Sequence, residues 1–250
     1  MNIKEYYSFL KNMYFIQVII IGISATISIF IMIHFEITII HKLIFCLIGL
    51  LLVCFYSRYY YFSYRESKAV YLLNSKEKVF EHNQFLLLQE TNPRFQLKFF
   101  KSNGICEWEI SEVKMSSVIK FPYQTHLFEL RKRDGSMLAL YKIPRFQKSV
   151  LEIIAAGKKM KLILVSREKG KEIFSLNQHQ FLIDKNSSKI QLLKDKSFLM
   201  KSEIGIMPLN WQKQFAPNTP IIEVNEKIEM QDFYIAVCLL IYCQQKYKKL

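Results

Sequence analysis

Glycine and proline are scarce in this sequence, with seven and six among 250 residues. So few glycines leave little material for nucleotide-binding loops, and neither a Gly-x-x-x-x-Gly-Lys loop nor a Gly-x-Ser-x-Gly elbow is present. Acidic residues are also few, 21 against 35 lysine and arginine residues, and they form no cluster suited to a divalent metal. These absences argue against the common nucleotide-dependent, esterase and metal-dependent enzymes.

Histidine and cysteine are equally unpromising as catalytic or metal-binding residues. The five histidines are scattered, and none is paired at the i, i+4 spacing of a helical zinc site. The five cysteines are an odd number without a disulfide-like spacing, and Cys238 and Cys243 are predicted to be buried thiols. We therefore predict no catalytic residue, no metal ligand and no cofactor, and expect the chain not to be an enzyme. An enzyme working at a membrane surface is the alternative.

Hydrophobic residues make up 51% of the chain, and they concentrate in two long runs near its start. Met13 to Ile33 contains no charge, and Ile37 to Tyr56 is interrupted only by His41 and Lys42. At about 1.5 Å per residue, each run spans the roughly 30 Å of bilayer hydrocarbon. The short connection His34-Phe35-Glu36 then requires an antiparallel hairpin.

We predict a transmembrane hairpin over residues 1–61, with spans at about 13–33 and 37–57. A cleaved signal peptide is disfavoured because the first run exceeds a signal core and a second run follows at once. A hairpin buried in a soluble core is disfavoured because both helices are apolar on every face.

Basic residues flank the hairpin on its outer sides. Lys4 and Lys11 precede it, and only Lys42 lies between the runs. The basic residues that follow are Arg58, Arg65, Lys68, Lys76 and Lys78. The positive-inside rule therefore predicts a multi-pass protein of the cell membrane with both termini in the cytoplasm.

Residues 62–250 contain short β-branched and aromatic runs separated by turn signals such as Asn103-Gly104 and Asp134-Gly135. The predicted strands lie within Phe85–Leu88, Phe95–Phe100, Leu127–Leu130, Met137–Ile143, Leu151–Ala155, Leu162–Val165, Ile173–Leu176, Phe181–Ile183 and Ile190–Leu193. Many short strands of this kind predict a cytoplasmic antiparallel meander that closes into a barrel or sandwich. Lys148 to Lys161 fits an amphipathic helix or two strands joined at Gly157, and the second interpretation is preferred.

Phe233 to Cys243 is a run of eleven apolar residues, preceded by Asp232 as a candidate N-cap. The run is too short to cross a bilayer, and a helix apolar on all sides must be buried on all sides. We predict a helix at about 230–244 that is enclosed by the β-barrel. A third membrane span is the alternative.

Such a strand series with a short hydrophobic C-terminal helix resembles the tubby C-terminal-like superfamily, which includes phospholipid scramblases and LURP-one-related proteins. The resemblance covers roughly residues 68–250. It is carried by Leu127–Leu130, Asp134-Gly135, Ile143–Phe146, Phe174–Leu176, Phe181–Ile183 and Phe233–Cys243. It implies a barrel that encloses the last helix. Eukaryotic members bind phosphoinositide headgroups through basic side chains, but no such motif is matched here residue by residue.

A second resemblance is to bacterial pleckstrin-homology-like membrane proteins of the YcxB kind. It rests on a membrane hairpin followed by Gly104–Val113 and Tyr141–Pro144. It implies a domain at residues 80–160 that is closed by a helix at 148–161. This interpretation gives the hydrophobic C-terminal helix no role, so it ranks second.

Positive charge is concentrated between Arg131 and Lys201, a segment that contains 17 lysine and arginine residues but only six acidic ones. Arg131, Lys132 and Arg133 adjoin the Asp134-Gly135 turn, and Lys142, Arg145 and Lys148 follow. We predict that these six side chains share one rim and bind lipid headgroups. A solvated barrel face is the alternative interpretation. Nucleic acid is disfavoured as a partner because the aromatic residues occupy strand-like apolar positions instead of alternating with the cations.

The sequence therefore predicts a membrane-anchored, non-enzymatic cytoplasmic module that binds anionic membrane lipids or a protein partner. A scramblase-like, lipid-moving protein is a further alternative. That activity needs a polar path through the bilayer, and neither hairpin helix supplies a continuous polar stripe.

Overall fold

A computed structural model of the chain describes residues 1–34, 39–69, 83–90, 95–113, 125–144, 150–205 and 207–246. The chain divides into two compact units, Met1–Leu73 and Asn74–Leu250. The predicted hairpin connection at residues 35–36 lies outside the described residues.

The first unit consists of two helices, α1 (Ile3–His34) and α2 (Ile39–Lys68), which pack against each other. The Asn2 side-chain oxygen accepts a hydrogen bond from the Glu5 backbone amide at 2.8 Å. The Glu5 carboxylate in turn accepts one from the Asn2 backbone amide at 3.0 Å. This reciprocal cap explains why α1 begins ten residues before the apolar run. Tyr14 stacks on Phe62 with ring centroids 5.3 Å apart, which fixes the antiparallel alignment of the helices.

Both helices are long and apolar enough to cross a membrane, over Ile3–Ile31 and His41–Lys68. The most apolar stretch of each helix contains no buried residue, so its apolar side chains face outward. Residues 62–68 continue α2, because no proline or glycine interrupts the helix there.

The described residues of the second unit form a closed barrel of twelve antiparallel strands. Each strand pairs with the next in the chain, and β1 pairs with β12. The first six strands are β1 (Gln84–Glu90), β2 (Gln96–Phe100), β3 (Cys106–Glu112), β4 (Thr125–Lys132), β5 (Met137–Pro144) and β6 (Val150–Ala155). The others are β7 (Lys158–Glu168), β8 (Lys171–Leu176), β9 (His179–Lys185), β10 (Lys189–Lys194), β11 (Ser197–Glu203) and β12 (Ile221–Val224). A short helix, α3 (Leu209–Gln212), lies between β11 and β12. The predicted barrel is confirmed.

The strands show the alternation that a one-sided core requires. In β5, Ala139, Tyr141 and Ile143 are buried while their neighbours are partly exposed. All nine predicted runs overlap a strand, but the prediction omits β3, β11 and β12. These three strands carry acidic or lysine residues at outward positions, so each offers only a short apolar run.

The described part of the ambiguous segment, residues 150–161, lies in two strands, β6 and β7, joined at Ala156-Gly157. Both turn residues have positive φ, 48° at Ala156 and 73° at Gly157, as a tight hairpin turn requires. The closing helix implied by the pleckstrin-homology-like resemblance is therefore wrong.

The barrel encloses α4 (Met230–Lys246). Every residue from Asp232 to Ile241 is buried, so all faces of the helix are covered. The helix contacts β5, β6 and β11, and the Phe233 ring lies 4.8 Å from that of Trp108 on β3. The predicted enclosed helix is confirmed, and a third membrane span is excluded for this segment.

Polar contacts hold α4 at both of its ends. Near its start, both Asp232 carboxylate oxygens accept hydrogen bonds from Lys194 of β10 at 2.9 Å. Near its end, the Tyr242 hydroxyl donates to the buried Glu172 of β8 at 2.7 Å, and Lys246 also binds this carboxylate. An acidic residue in the first turn and a basic one in the last also complement the helix dipole. The helix is thereby fixed along the barrel axis.

Truncation of Leu239 or Leu240 to alanine tests the role of α4, because both side chains are fully buried. We expect either change to lower the free energy of unfolding by about 2–5 kcal/mol through lost burial and an unfilled cavity. Met230→Ala is the matched control, since Met230 lies on the same helix and is 57% exposed. Both tryptophans, Trp108 and Trp211, lie in the barrel unit, so tryptophan fluorescence of the detergent-solubilised full chain reports its unfolding. Equal losses at Leu239 and Met230 would contradict an enclosed helix.

Two tyrosines provide a pair of opposite predictions. The Tyr141 hydroxyl is fully buried without a hydrogen-bond partner, whereas the Tyr242 hydroxyl is bound to Glu172 and accepts from Arg167 at 3.2 Å. Tyr141→Phe removes an unpaired polar group, and we expect it to raise the free energy of unfolding by about 1 kcal/mol. Tyr242→Phe removes the hydroxyl that donates to Glu172 Oε2, while Lys246 stays on the other oxygen of this buried carboxylate. We expect this loss to lower the free energy of unfolding by about 1–3 kcal/mol. The same fluorescence assay measures both changes, and two changes of the same sign would refute this assignment.

Candidate anion-binding surface

Three of the six predicted binding residues lie at the β4–β5 hairpin. Arg131 and Lys132 end β4, and Arg133 begins the turn. The turn is shaped by Gly135, whose φ is +85°, and by the Asp134 carboxylate, which accepts from the Ser136 amide at 2.9 Å. Lys132 and Arg133 are exposed there, but Arg131 donates to Glu129 from Nε at 3.0 Å and from Nη2 at 2.6 Å. The neighbouring carboxylate thus offsets the charge of Arg131.

Lys142 lies apart from this hairpin turn. It pairs with Leu127, four residues along β4 from Arg131, which corresponds to about 13 Å. The structure does not bring Lys142 to the turn, because this residue lies near the far ends of the two strands that the turn connects. Arg145 and Lys148 lie outside the described residues.

Lys142 instead belongs to a group of three lysines around Glu152, on the outer face of β5, β6 and β7. Lys159 Nζ lies 3.1 Å from Glu152 Oε2, and the ammonium groups of Lys142 and Lys161 each lie 3.9 Å from the carboxylate. The strand register creates this arrangement, because Glu152 pairs with Lys142 on one side and with Lys161 on the other. We call Lys142, Lys159 and Lys161 the lysine cluster.

The electrostatics of the lysine cluster leave an excess of positive charge. A hydrogen bond from Lys159 and the positive charges of all three lysines hold the pKa of Glu152 below its usual value, so this carboxylate stays ionised. One carboxylate neutralises one of the three ammonium groups. The lysine side chains are 41–59% exposed, so their remaining donors are open to an incoming anion such as a phosphate.

Sequence reasoning missed Lys159, Lys161 and Glu152, although a signal for them exists. A two-residue turn at Ala156-Gly157 pairs Ala155 with Lys158, and counting outward then pairs Glu152 with Lys161. An amphipathic helix also fits this segment, and a helix has no strand register, so the sequence alone does not specify the lysine cluster.

A cavity of about 440 Å³ lies at the end of the barrel where α4 terminates. Its walls combine apolar and polar side chains, among them Leu87, Ile190, Ser202, Thr219, Lys189 and Gln244. Lys189 supplies positive charge to this cavity. The cavity could accept a small polar molecule, but its walls hold no arrangement that specifies one.

Two histidines of the barrel are paired with carboxylates. His126 lies 2.5 Å from Glu112, and His179 lies 2.6 Å from Asp195. Among the described residues, no group of three or more histidine, cysteine or acidic side chains could hold a metal ion.

The barrel cysteines are buried thiols, as predicted for Cys238 and Cys243. Burial raises the pKa of Cys106 and that of Cys243 to about 12 and also raises the pKa of Cys238. Since the thiolate is the reactive form, these cysteines are poorly suited to nucleophilic chemistry near neutral pH.

The buried thiols predict a loss of stability at high pH. Above about pH 9 the thiols of the unfolded chain lose protons that the folded chain retains, so their contribution to stability is complete below this pH and declines above it. Each thiol steepens the decline by up to about 1.4 kcal/mol per pH unit. We expect Cys243→Ala to remove one such slope between about pH 9 and about pH 10, below the range of ordinary tyrosines. Denaturant unfolding of the full chain at several pH values measures the slope, with Cys106→Ala as a second, equivalent variant. An unchanged slope in both variants would show that the thiols are not shielded.

Comparisons with protein-family models, with curated proteins and with solved structures find no match to this chain. The functional assignment therefore depends on the geometry described above.

Proposed function

We propose that this protein is a membrane-anchored module whose barrel binds anionic lipid headgroups at the cytoplasmic surface through the lysine cluster. The observation that carries the proposal is the convergence of Lys142, Lys159 and Lys161 on a single carboxylate. Three exposed ammonium groups against one anion form a local site for a headgroup phosphate.

The two apolar helices support this proposal, because a chain anchored by them would hold the barrel close to a bilayer. A tethered domain meets the membrane surface at a high effective concentration, so weak contacts are sufficient for docking. Each lysine or arginine near an anionic leaflet contributes about 1 kcal/mol. Lys132 and Arg133 at the β4–β5 turn add longer-range attraction, and Arg131 adds less because Glu129 neutralises it.

Two finer assignments belong to the same proposal. The antiparallel strand order and the enclosed last helix support a tubby C-terminal-like barrel. The basic residues on both outer sides of the hairpin support a cytoplasmic location for both termini. Such an orientation would bring the barrel to the anionic leaflet.

Lysine footprinting on the full chain tests the proposal. The protein is reconstituted in nanodiscs of phosphatidylcholine alone or mixed with phosphatidylglycerol, and acetylation of each lysine is measured by mass spectrometry. We expect the lysine cluster to react several-fold more slowly in the anionic discs. Protection should disappear as salt rises from about 0.1 M to about 1 M, because the Debye length falls from about 10 Å to about 3 Å. Lys227, exposed in the connection between β12 and α4, is the internal reference.

A matched pair of variants separates charge from structure. Lys159→Gln and Glu152→Gln each break the same ion pair, but they change the net charge in opposite directions. Protection of Lys142 and Lys161 in anionic discs should fall in the first variant and rise in the second. Changes in the same direction, or no difference between anionic and neutral discs, would overturn the proposed headgroup site.

A further inference from the structure

Three exposed aliphatic side chains lie next to the lysine cluster on the outer face of β6 and β7. Ile163 and Val165 follow Lys159 and Lys161 at alternate positions of β7, so they share its outer face. Val150 pairs with Ile163 across the β6–β7 ladder. The exposed fractions are 37% for Val150, 50% for Ile163 and 61% for Val165. We call these three residues the aliphatic patch.

The backbone itself directs Val165 outward. The pairing of β7 with β8 shifts register between Leu164 and Ser166, so Val165 is an extra residue at a β-bulge. A bulge bends the strand and changes the direction of its side chain. The most exposed member of the aliphatic patch therefore occupies the one position between Ile163 and Glu168 that has no partner on β8 in the described ladder.

We infer that the aliphatic patch inserts into the headgroup–acyl boundary of the anionic leaflet while the lysine cluster binds headgroup phosphates. This inference rests on the function proposed above and adds to it a second, apolar contact. An interfacial membrane site combines aliphatic side chains with lysines whose stems lie along the apolar region and whose ammonium groups stay at the phosphates. Along β7 the order Lys159, Lys161, Ile163, Val165 provides both kinds of group on one face.

The positive charge of the lysine cluster favours an anionic bilayer, and not a second copy of this chain, as the partner that covers this face. A second copy on the same face would bring two lysine clusters together, and like charges in contact are unfavourable. Glu168, the acidic residue of β7, lies seven residues from Lys161, which corresponds to about 23 Å along the strand, so it does not offset the excess charge of the lysine cluster. An anionic leaflet complements the whole face.

Depth-dependent quenching on the full chain tests the inference. Cys46 and Cys54 are exposed and are replaced by serine, whereas Cys106, Cys238 and Cys243 are buried and remain. A fluorescent probe is attached at Val165→Cys, and doxyl-labelled lipid in the nanodisc quenches it on contact. The matched control is Met230→Cys, which is 57% exposed. It lies beside residues of β1, β3 and β12, such as Phe85, Trp108 and Val224. These strands are four to six positions from β7 in the closed barrel, so Met230 lies on the opposite side of the barrel from the aliphatic patch. Val165 is exposed, so the fold should tolerate the substitution, and an unchanged thermal transition confirms this.

We expect quenching at position 165 to be several-fold greater in phosphatidylglycerol-containing discs than in phosphatidylcholine discs, with little quenching at position 230. Ile163→Asn, added to the labelled protein, should reduce the quenching without removing the salt-dependent protection of the lysines. Protected lysines together with an unquenched probe would overturn the inference and leave the headgroup site standing. Unprotected lysines would overturn the proposed function itself. Equal quenching in both kinds of disc would overturn the coupling of insertion to headgroup charge.

Discussion

The burial of α4 on all its faces is the constraint on which the barrel depends. A helix is about 10 Å across, and an eight-stranded barrel is already filled by its own side chains, whereas sixteen strands leave an aqueous channel. Twelve strands leave a space that one helix occupies. The inward residues of the strands, such as Tyr141 and Phe174, then complete a single core with Leu239 and its neighbours. The helix thus replaces the water that would otherwise fill the barrel.

Along each strand, residues that point into the core alternate with residues that point outward, which keeps the core and the outer surface independent. On β6, Ile153 points into the core and Glu152 points outward to the lysine cluster. Adjacent residues therefore contribute to stability in different ways, the inward residue through packing and the outward residue through charge interactions. This separation allows the outer face of β5–β7 to carry a charged site and exposed aliphatic groups without loss of core packing.

Sequence reasoning was most successful where one physical signal was sufficient. The length of the apolar runs predicted α1 and α2, and the all-apolar run at Phe233–Cys243 predicted an enclosed helix. The strands that were found contain at least two adjacent apolar residues. In β3, Glu107 and Glu109 alternate with the apolar residues, so the strand has no apolar run and was missed. The candidate site was harder to predict, since it depends on which residues face each other across strands. Proximity in sequence grouped Lys142 with Arg131, whereas strand register groups it with Glu152 and Lys161.

The position of α4 in chain order has a consequence for how the protein is made. The helix follows all twelve strands, so during synthesis the strands leave the ribosome before the segment that fills them. Closure of the barrel also requires β1 to pair with β12, whose residues lie more than a hundred positions later in the chain. The two apolar helices precede the strands in the chain, so their insertion into a bilayer would hold the growing, unfilled sheet beside the membrane during translation. Folding of the barrel is therefore a late event, and its exposed inner face needs protection from aggregation until α4 arrives.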